Sequence, residues 1–126
     1  MSCREKMVDR QVICMNKDDI RKTKEVLNRS IPSLLNQDLV KMTMYGSCAR
    51  GDYTDDSDID IVLFTRCDRL EAKKYDDELM DIVTDIAMDI GTMVEYICIP
   101  VKEFEKKKSW YGYFQNIERE GIVLYG

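Results

Sequence analysis

The chain contains no histidine, so the side chain that changes charge most readily near neutral pH is missing. Acid–base chemistry would therefore fall to carboxylates, lysine, tyrosine or metal-bound species. Cysteine is present but not in a ligating pattern. Cys3, Cys14, Cys48, Cys67 and Cys98 are odd in number and scattered, with no CxxC pair. Without histidine to complete a ligand set, this argues against zinc and for free thiols in a reducing cytoplasm. No apolar run approaches the roughly 18 residues of a membrane span, and the N-terminus lacks the apolar core of a signal peptide. The expectation is a cytoplasmic protein with no membrane contact. Positive charge is also short: 19 Lys and Arg stand against 24 Asp and Glu, a formal net charge of −5. That balance argues against an extended nucleic-acid footprint.

What remains is an ordinary globular composition, 44% hydrophobic and 34% charged over 126 residues, enough for one domain with a modest core. Residues 1–15 show no period and read as a loosely ordered lead, which leaves 16–126 as a single domain. Asn16, followed by Lys17, Asp18 and Asp19, looks like a helix start, with a capping side chain and then acids near the positive end of the dipole. Ile20, Leu27, Ile31 and Leu34 continue at helical spacing, and Pro32 predicts a kink or restart.

Leu39 to Tyr45 reads as a strand ending at Gly46. Asp58 to Thr65 is a second strand, whose Ile-Val-Leu-Phe run predicts burial on both faces. Between Leu70 and Ile90, the apolar set Leu79, Ile82, Val83, Ile86 and Ile90 predicts a long amphipathic helix stopped by Gly91. Met93 to Ile99 gives a third strand closed by Pro100. Glu103 to Gln115 or beyond reads as helix in one or two pieces, with Trp110, Tyr113, Phe114 and Ile117 on one face. Gly121 ends it, and Ile122 to Tyr125 offers a short edge strand. The fold class is α/β (α+β), a small mixed sheet backed by helices.

The segment from Gly46 to Asp60 carries the chemistry. Gly46-Ser47 forms a turn directly after a strand, and glycine there lets the backbone approach a ligand. N–H groups at the start of a following helix can then bind phosphate. Asp58 and Asp60 open the next strand. Residues at i and i+2 of a strand point the same way, roughly 6.5–7 Å apart, so two carboxylates can converge on one ion or bracket two ions about 3.5–4 Å apart. Magnesium suits such oxygen ligands and leaves positions for substrate phosphates. On an acidic chain, a nucleotide is expected to arrive with its divalent metal.

Gly46-Ser47-Cys48-Ala49-Arg50-Gly51 through Ser57-Asp58-Ile59-Asp60-Ile61 resembles the signature of the polymerase-β-like nucleotidyltransferase superfamily: a GS pair, a gap of ten residues, then DxD. The short length, the Ala-Arg-Gly after the motif serine and the Ser-Asp-Ile-Asp run resemble the minimal nucleotidyltransferases within it. Met93-Val94-Glu95-Tyr96-Ile97 occupies the place of that family's third carboxylate strand. Asn116 to Tyr125 is similar to its usual ending, so the likeness extends from about Ile20 to the C-terminus.

The resemblance implies the polymerase-β-like nucleotidyltransferase fold. It also implies triphosphate binding by Gly46 and Ser47, a phosphate contact from Arg50, and magnesium, two ions, held by Asp58 and Asp60. Glu95 becomes the third carboxylate, a metal ligand that helps deprotonate the acceptor hydroxyl. Glutamate departs from the commoner aspartate by one methylene, which implies either a relaxed metal geometry or a slower step.

The implied reaction moves a nucleoside monophosphate, AMP from ATP, to a hydroxyl and releases pyrophosphate. Larger relatives carry a substrate domain for which this chain has no room, so the acceptor belongs on a partner or a second subunit. Minimal members resemble the antitoxin half of a two-gene module whose partner is an all-helical HEPN-type ribonuclease toxin. Two alternatives stand beside this reading: a catalytically idle nucleotide- or partner-binding module of the same fold, and a small-molecule nucleotidyltransferase working as a homodimer.

Other features read as structure. Asp77, Asp81, Asp85 and Asp89, at four-residue spacing, read as a solvated helix face despite their mutual repulsion. Lys102, Lys106, Lys107 and Lys108 read as ordinary helix surface. Asp52, Asp55 and Asp56 read as solvating, and the Trp110/Tyr113/Phe114/Ile117 set as core packing.

Overall fold

The computed structural model describes residues 17–46 and 58–126, so the lead over 1–15 and the Asn16 cap lie outside the described residues. Helix α1 (Lys17–Leu35) leads through a 3-10 turn, Asn36–Asp38, into strand β1 (Leu39–Tyr45). Strand β2 (Ile59–Thr65) follows, then a short helix α2 (Arg69–Ala72) and helix α3 (Asp76–Ile90). Strand β3 (Val94–Pro100), helices α4 (Val101–Lys107) and α5 (Gly112–Glu120) and strand β4 (Ile122–Tyr125) complete the order.

The four strands form one mixed sheet in the order β3-β2-β1-β4. Strand β1 runs antiparallel to both β2 and β4, whereas β2 and β3 are parallel and joined through α2 and α3. Alternation along the strands sends side chains to two separate cores. Met42, Met44, Ile59, Ile61, Leu63 and Val94 meet the apolar stripes of α1 and α3 on one face. Val62, Phe64 and Ile99 meet Phe104, Phe114 and Ile117 of α4 and α5 on the other. There Phe104 packs edge-on to Phe64 at 4.7 Å and tilted against Phe114 at 5.1 Å, aromatic geometry that adds to the burial of three large rings. The Ile-Val-Leu-Phe run of β2 is buried on both faces, as its continuity predicts.

Three local expectations are corrected. Pro32 does not restart α1, which runs unbroken through it. It sits in the last turn and deprives only the carbonyl of Asn28, an exposed residue, while Ile31 and Leu35 are fully buried and clamp that turn to the sheet. The long helix expected from Leu70 is interrupted. Asp68 and Glu71 cap α2 reciprocally, a 3-10 turn at Lys73–Tyr75 intervenes, and the Tyr75 hydroxyl donates to the Asp38 carboxylate. The periodic apolar stripe starts only at Leu79, and Leu70 is exposed. Trp110 does not join Phe114 and Ile117 in the core but stands 68% exposed in the turn before α5.

The expected helix stops hold. Gly91 follows α3 at φ 74 and donates its N–H to the Ala87 carbonyl at 2.8 Å, the left-handed ending glycine allows. Asp77, Asp81, Asp85 and Asp89 all face solvent. Lys107 pairs with Glu103, and Lys108 with Glu105 and Glu118, so part of the basic cluster is ordinary ion-paired helix surface. No helix among the described residues is long and apolar enough to cross a membrane.

Candidate active site

The parallel pairing of β2 with β3 sets the site. Ile59 N–H donates to the Met93 carbonyl at 3.0 Å, fixing a register in which Asp60 lies opposite Glu95. In the antiparallel pairing on the other side, Tyr45 lies opposite Asp60. Tyr45, Asp60 and Glu95 therefore form one row across three neighbouring strands, on the sheet face that α4 and α5 cover further along. That helical layer ends at Tyr113, leaving the row open in a cavity of about 280 Å³ lined by Tyr45, Asp60, Glu95, Ile97 and Tyr113.

Gly46 follows Tyr45 at φ +90, and a Cβ built on it would stand 3.0 Å from Asp60 Oδ2. Both facts call for glycine: an L side chain strains at that φ, and the turn presses against the carboxylate. The end of β1 and the start of β2 are thus brought into contact, the closure expected from a turn-plus-DxD arrangement. Asp58 sits just before β2 and is exposed. Ser47 and Arg50, expected at the phosphate turn, lie outside the described residues, as do Cys48 and the loop acids Asp52, Asp55 and Asp56.

Electrostatics mark the same carboxylate. Burial foremost, then the charges of Glu95 and Asp58, push the Asp60 carboxyl above its ordinary value, as expected where like charges crowd a half-buried site. The Tyr113 hydroxyl is also raised, first by burial, then by Tyr45 and Asp60, and its ring meets Tyr45 edge-on at 6.0 Å. Among the described residues, no group of three Asp, Glu, Cys or His side chains gathers closely enough to cage an ion. Among the described residues, Cys67 and Cys98 are free thiols outside the row, and burial pushes Cys98 up to about 11.

Sequence reasoning missed Tyr45 and Tyr113 as lining residues. Tyr45 was legible in principle, because an antiparallel return from Gly46 brings the preceding residue beside the DxD strand. Tyr113 carried no such signal, because its place depends on how far α5 extends over the sheet.

Residues 20–119 match the family described as a nucleotidyltransferase domain. A candidate protein adenylyltransferase of Methanocaldococcus jannaschii is 33% identical over 102 residues, covering 81% of this chain and 93% of that protein. Among solved structures, a toxin–antitoxin with AMP-PNP is 20% identical at a TM-score of 0.49, over 89% of this chain and 74% of its own. A mutant of the toxin–antitoxin MntA-HpeT is 18% identical over the same shares at a TM-score of 0.50, a likeness of fold. Matched over most of its length, the chain belongs to the nucleotidyltransferase domain family and is a nucleotidyl-transferring enzyme.

Proposed function

We propose that the chain is a magnesium-dependent adenylyltransferase that moves AMP from ATP to a hydroxyl on a partner protein and acts as the antitoxin of a HEPN-type toxin. The observation that carries the chemistry is the contact geometry around Asp60: Glu95 opposite it on β3, and Gly46 against its own oxygen. Gly46 and two carboxylates then share one small volume, which supports a phosphate and metal site there. The choice of AMP is supported by the name of the M. jannaschii relative. The toxin partner is supported by the family resemblance of the motif, and MntA-HpeT is itself a toxin–antitoxin.

The donor set fits magnesium. It is all oxygen, and magnesium is usually held by one or two protein carboxylates, with waters and substrate phosphates filling the rest. A ready three-ligand cage is therefore not required of the protein alone. Asp60 and Glu95, with Asp58 two residues before Asp60, would hold the metal. When bound, it would neutralise charge on the triphosphate oxygens, including those on the phosphorus under attack.

The remaining work falls to the chain. Gly46 and Ser47 present backbone N–H groups to the β- and γ-phosphates, and Arg50 adds a cation there. The acceptor oxygen forms a bond to the α-phosphorus while the bond to the bridging oxygen of pyrophosphate breaks. The hydroxyl proton passes to the Glu95 carboxylate, and pyrophosphate leaves on the Gly46 side. Tyr45 and Tyr113 wall the site and limit water.

The test combines the purified protein, the product of its adjacent gene and ATP, with pyrophosphate release as the readout. Release should require magnesium, stop in EDTA and stop with Asp60→Asn. If wild type releases none while Asp60→Asn still suppresses toxicity, neutralisation is by docking alone and the enzymatic role fails.

A further inference from the structure

A second cavity, about 290 Å³, adjoins the carboxylate site and shares two of its walls, Ile97 and Tyr113. It lies along β3, one of the two edge strands of the sheet, and is floored by Ile99 and framed by Trp110, Tyr111 and the Arg69–Glu103 pair. Trp110 and Tyr111 are 68% and 42% exposed, unusual for rings clustered with centroids 5.9 Å apart. The charged groups beside them are already matched. Arg69 Nε and Nη2 donate to the two Glu103 oxygens at 2.9 Å each, and Lys107 reaches the same carboxylate at 3.4 Å.

We propose that this aromatic cleft seats the acceptor polypeptide, gripping an apolar or aromatic side chain next to the hydroxyl that receives the nucleotide. This rests on the adenylyltransferase reading above. In-line displacement requires the incoming oxygen and the departing pyrophosphate on opposite sides of the α-phosphorus. The Gly46 turn lies at the β1 side of Asp60 and Glu95 at the β3 side, so the acceptor enters from β3, where the cleft begins. A nucleobase is the rival occupant for an aromatic shelf. Reading a base edge takes donors and acceptors aimed into the cleft, and here Glu103 draws two donors of Arg69 and one of Lys107 into ion pairs at its rim. Beside that ion-paired rim the cleft offers ring and aliphatic surface from Ile97, Ile99, Trp110, Tyr111 and Phe114 at a sheet edge, the chemistry of a side-chain anchor.

Trp110 is the only tryptophan of the chain, so its fluorescence reports on the cleft alone. Saturating magnesium with the non-transferable analogue AMPCPP, with binding followed independently by equilibrium dialysis, should leave that fluorescence unchanged. Strong quenching by the nucleotide would overturn the proposal in favour of a base pocket. In the second arm, binding of the adjacent-gene protein is measured by calorimetry with Asp60→Asn and with Asp60→Asn/Trp110→Ala. This arm needs no catalysis, so it stands or falls apart from the transfer reaction. The added Trp110→Ala should weaken that binding at least tenfold, while Trp110→Ala alone, with Asp60 intact, should keep AMPCPP affinity within twofold of wild type. Trp110 is largely exposed, so folding is preserved, and Tyr111→Ala serves as a second probe with the same expected direction. Unchanged affinity in both cleft variants, or no measurable binding without them, overturns the proposal.

Discussion

Replacing Asp60 with asparagine should stabilise the metal-free protein while destroying its metal chemistry. The Asp60 carboxyl is raised above its ordinary value near 3.8 by burial, Glu95 and Asp58, in that order. The folded state therefore binds the proton more tightly than the unfolded chain does, and the resulting stability is fully present below the unfolded value. It is lost as pH rises through the higher folded value, so at neutral pH the ionised group costs stability.

Neighbouring strands lie about 4.8 Å apart. Two charges at roughly 5 Å repel by about 1–3 kcal/mol for an effective dielectric between that of water and about 20. Asp60 is half-buried and Glu95 exposed, so solvent screening reduces the net penalty to about 0.5–1 kcal/mol. Asp60→Asn should accordingly raise the melting temperature by about 2–5 °C in EDTA at pH 7.5, followed by circular dichroism. The gain should shrink as pH falls and the wild-type carboxyl takes up its proton. With magnesium and AMPCPP the order should reverse, because only wild type gains the stabilisation of a bound ligand. A fall of several degrees in the metal-free melt would refute the reasoning and make the Asp60 carboxylate a structural group.

Three further perturbations probe neighbouring parts. Gly46→Ala places a methyl at φ +90 within 3.0 Å of Asp60 Oδ2; it should cost about 1–2 kcal/mol of stability and weaken magnesium–nucleotide binding at least tenfold, and unchanged binding by dialysis would contradict the close approach. Glu95→Gln removes the proposed proton acceptor together with the charge that repels Asp60, so the metal-free melting temperature should rise by up to the few degrees expected of Asp60→Asn while kcat falls about 10²–10⁴-fold; an unchanged rate would reduce Glu95 to a solvated strand charge. Phe104→Ala empties the junction between Phe64 and Phe114, with an expected loss of about 3–5 kcal/mol in urea unfolding, and a loss below about 1 kcal/mol would contradict the α4–α5 core.

The strands and the motif were legible because their signals are local. An unbroken Ile61 to Phe64 run, a glycine at a strand end and a DxD at the start of the return each constrain the nearest backbone. The order of elements also gave the mixed sheet and placed Glu95 on its strand. Where the reading failed, the deciding contact was distant. Pro32 looked disruptive until Ile31 and Leu35 were seen locked in the core, and the break before α3 reflects Tyr75 reaching Asp38. Trp110 shares helical spacing with Phe114, yet lies in the turn ahead of α5 and faces outward. The aromatic wall of the site was invisible for the same reason, because it forms only when the α5 layer stops short of Asp60.

The most direct test of nucleotidyl transfer is to supply ATP labelled at either the α- or the γ-phosphate, with magnesium and the adjacent-gene protein. The account predicts label on the acceptor from α-labelled ATP only, with the γ-label recovered in pyrophosphate and both signals abolished by Asp60→Asn. Transfer of the γ-label, or α-label transfer that survives Asp60→Asn, would contradict it.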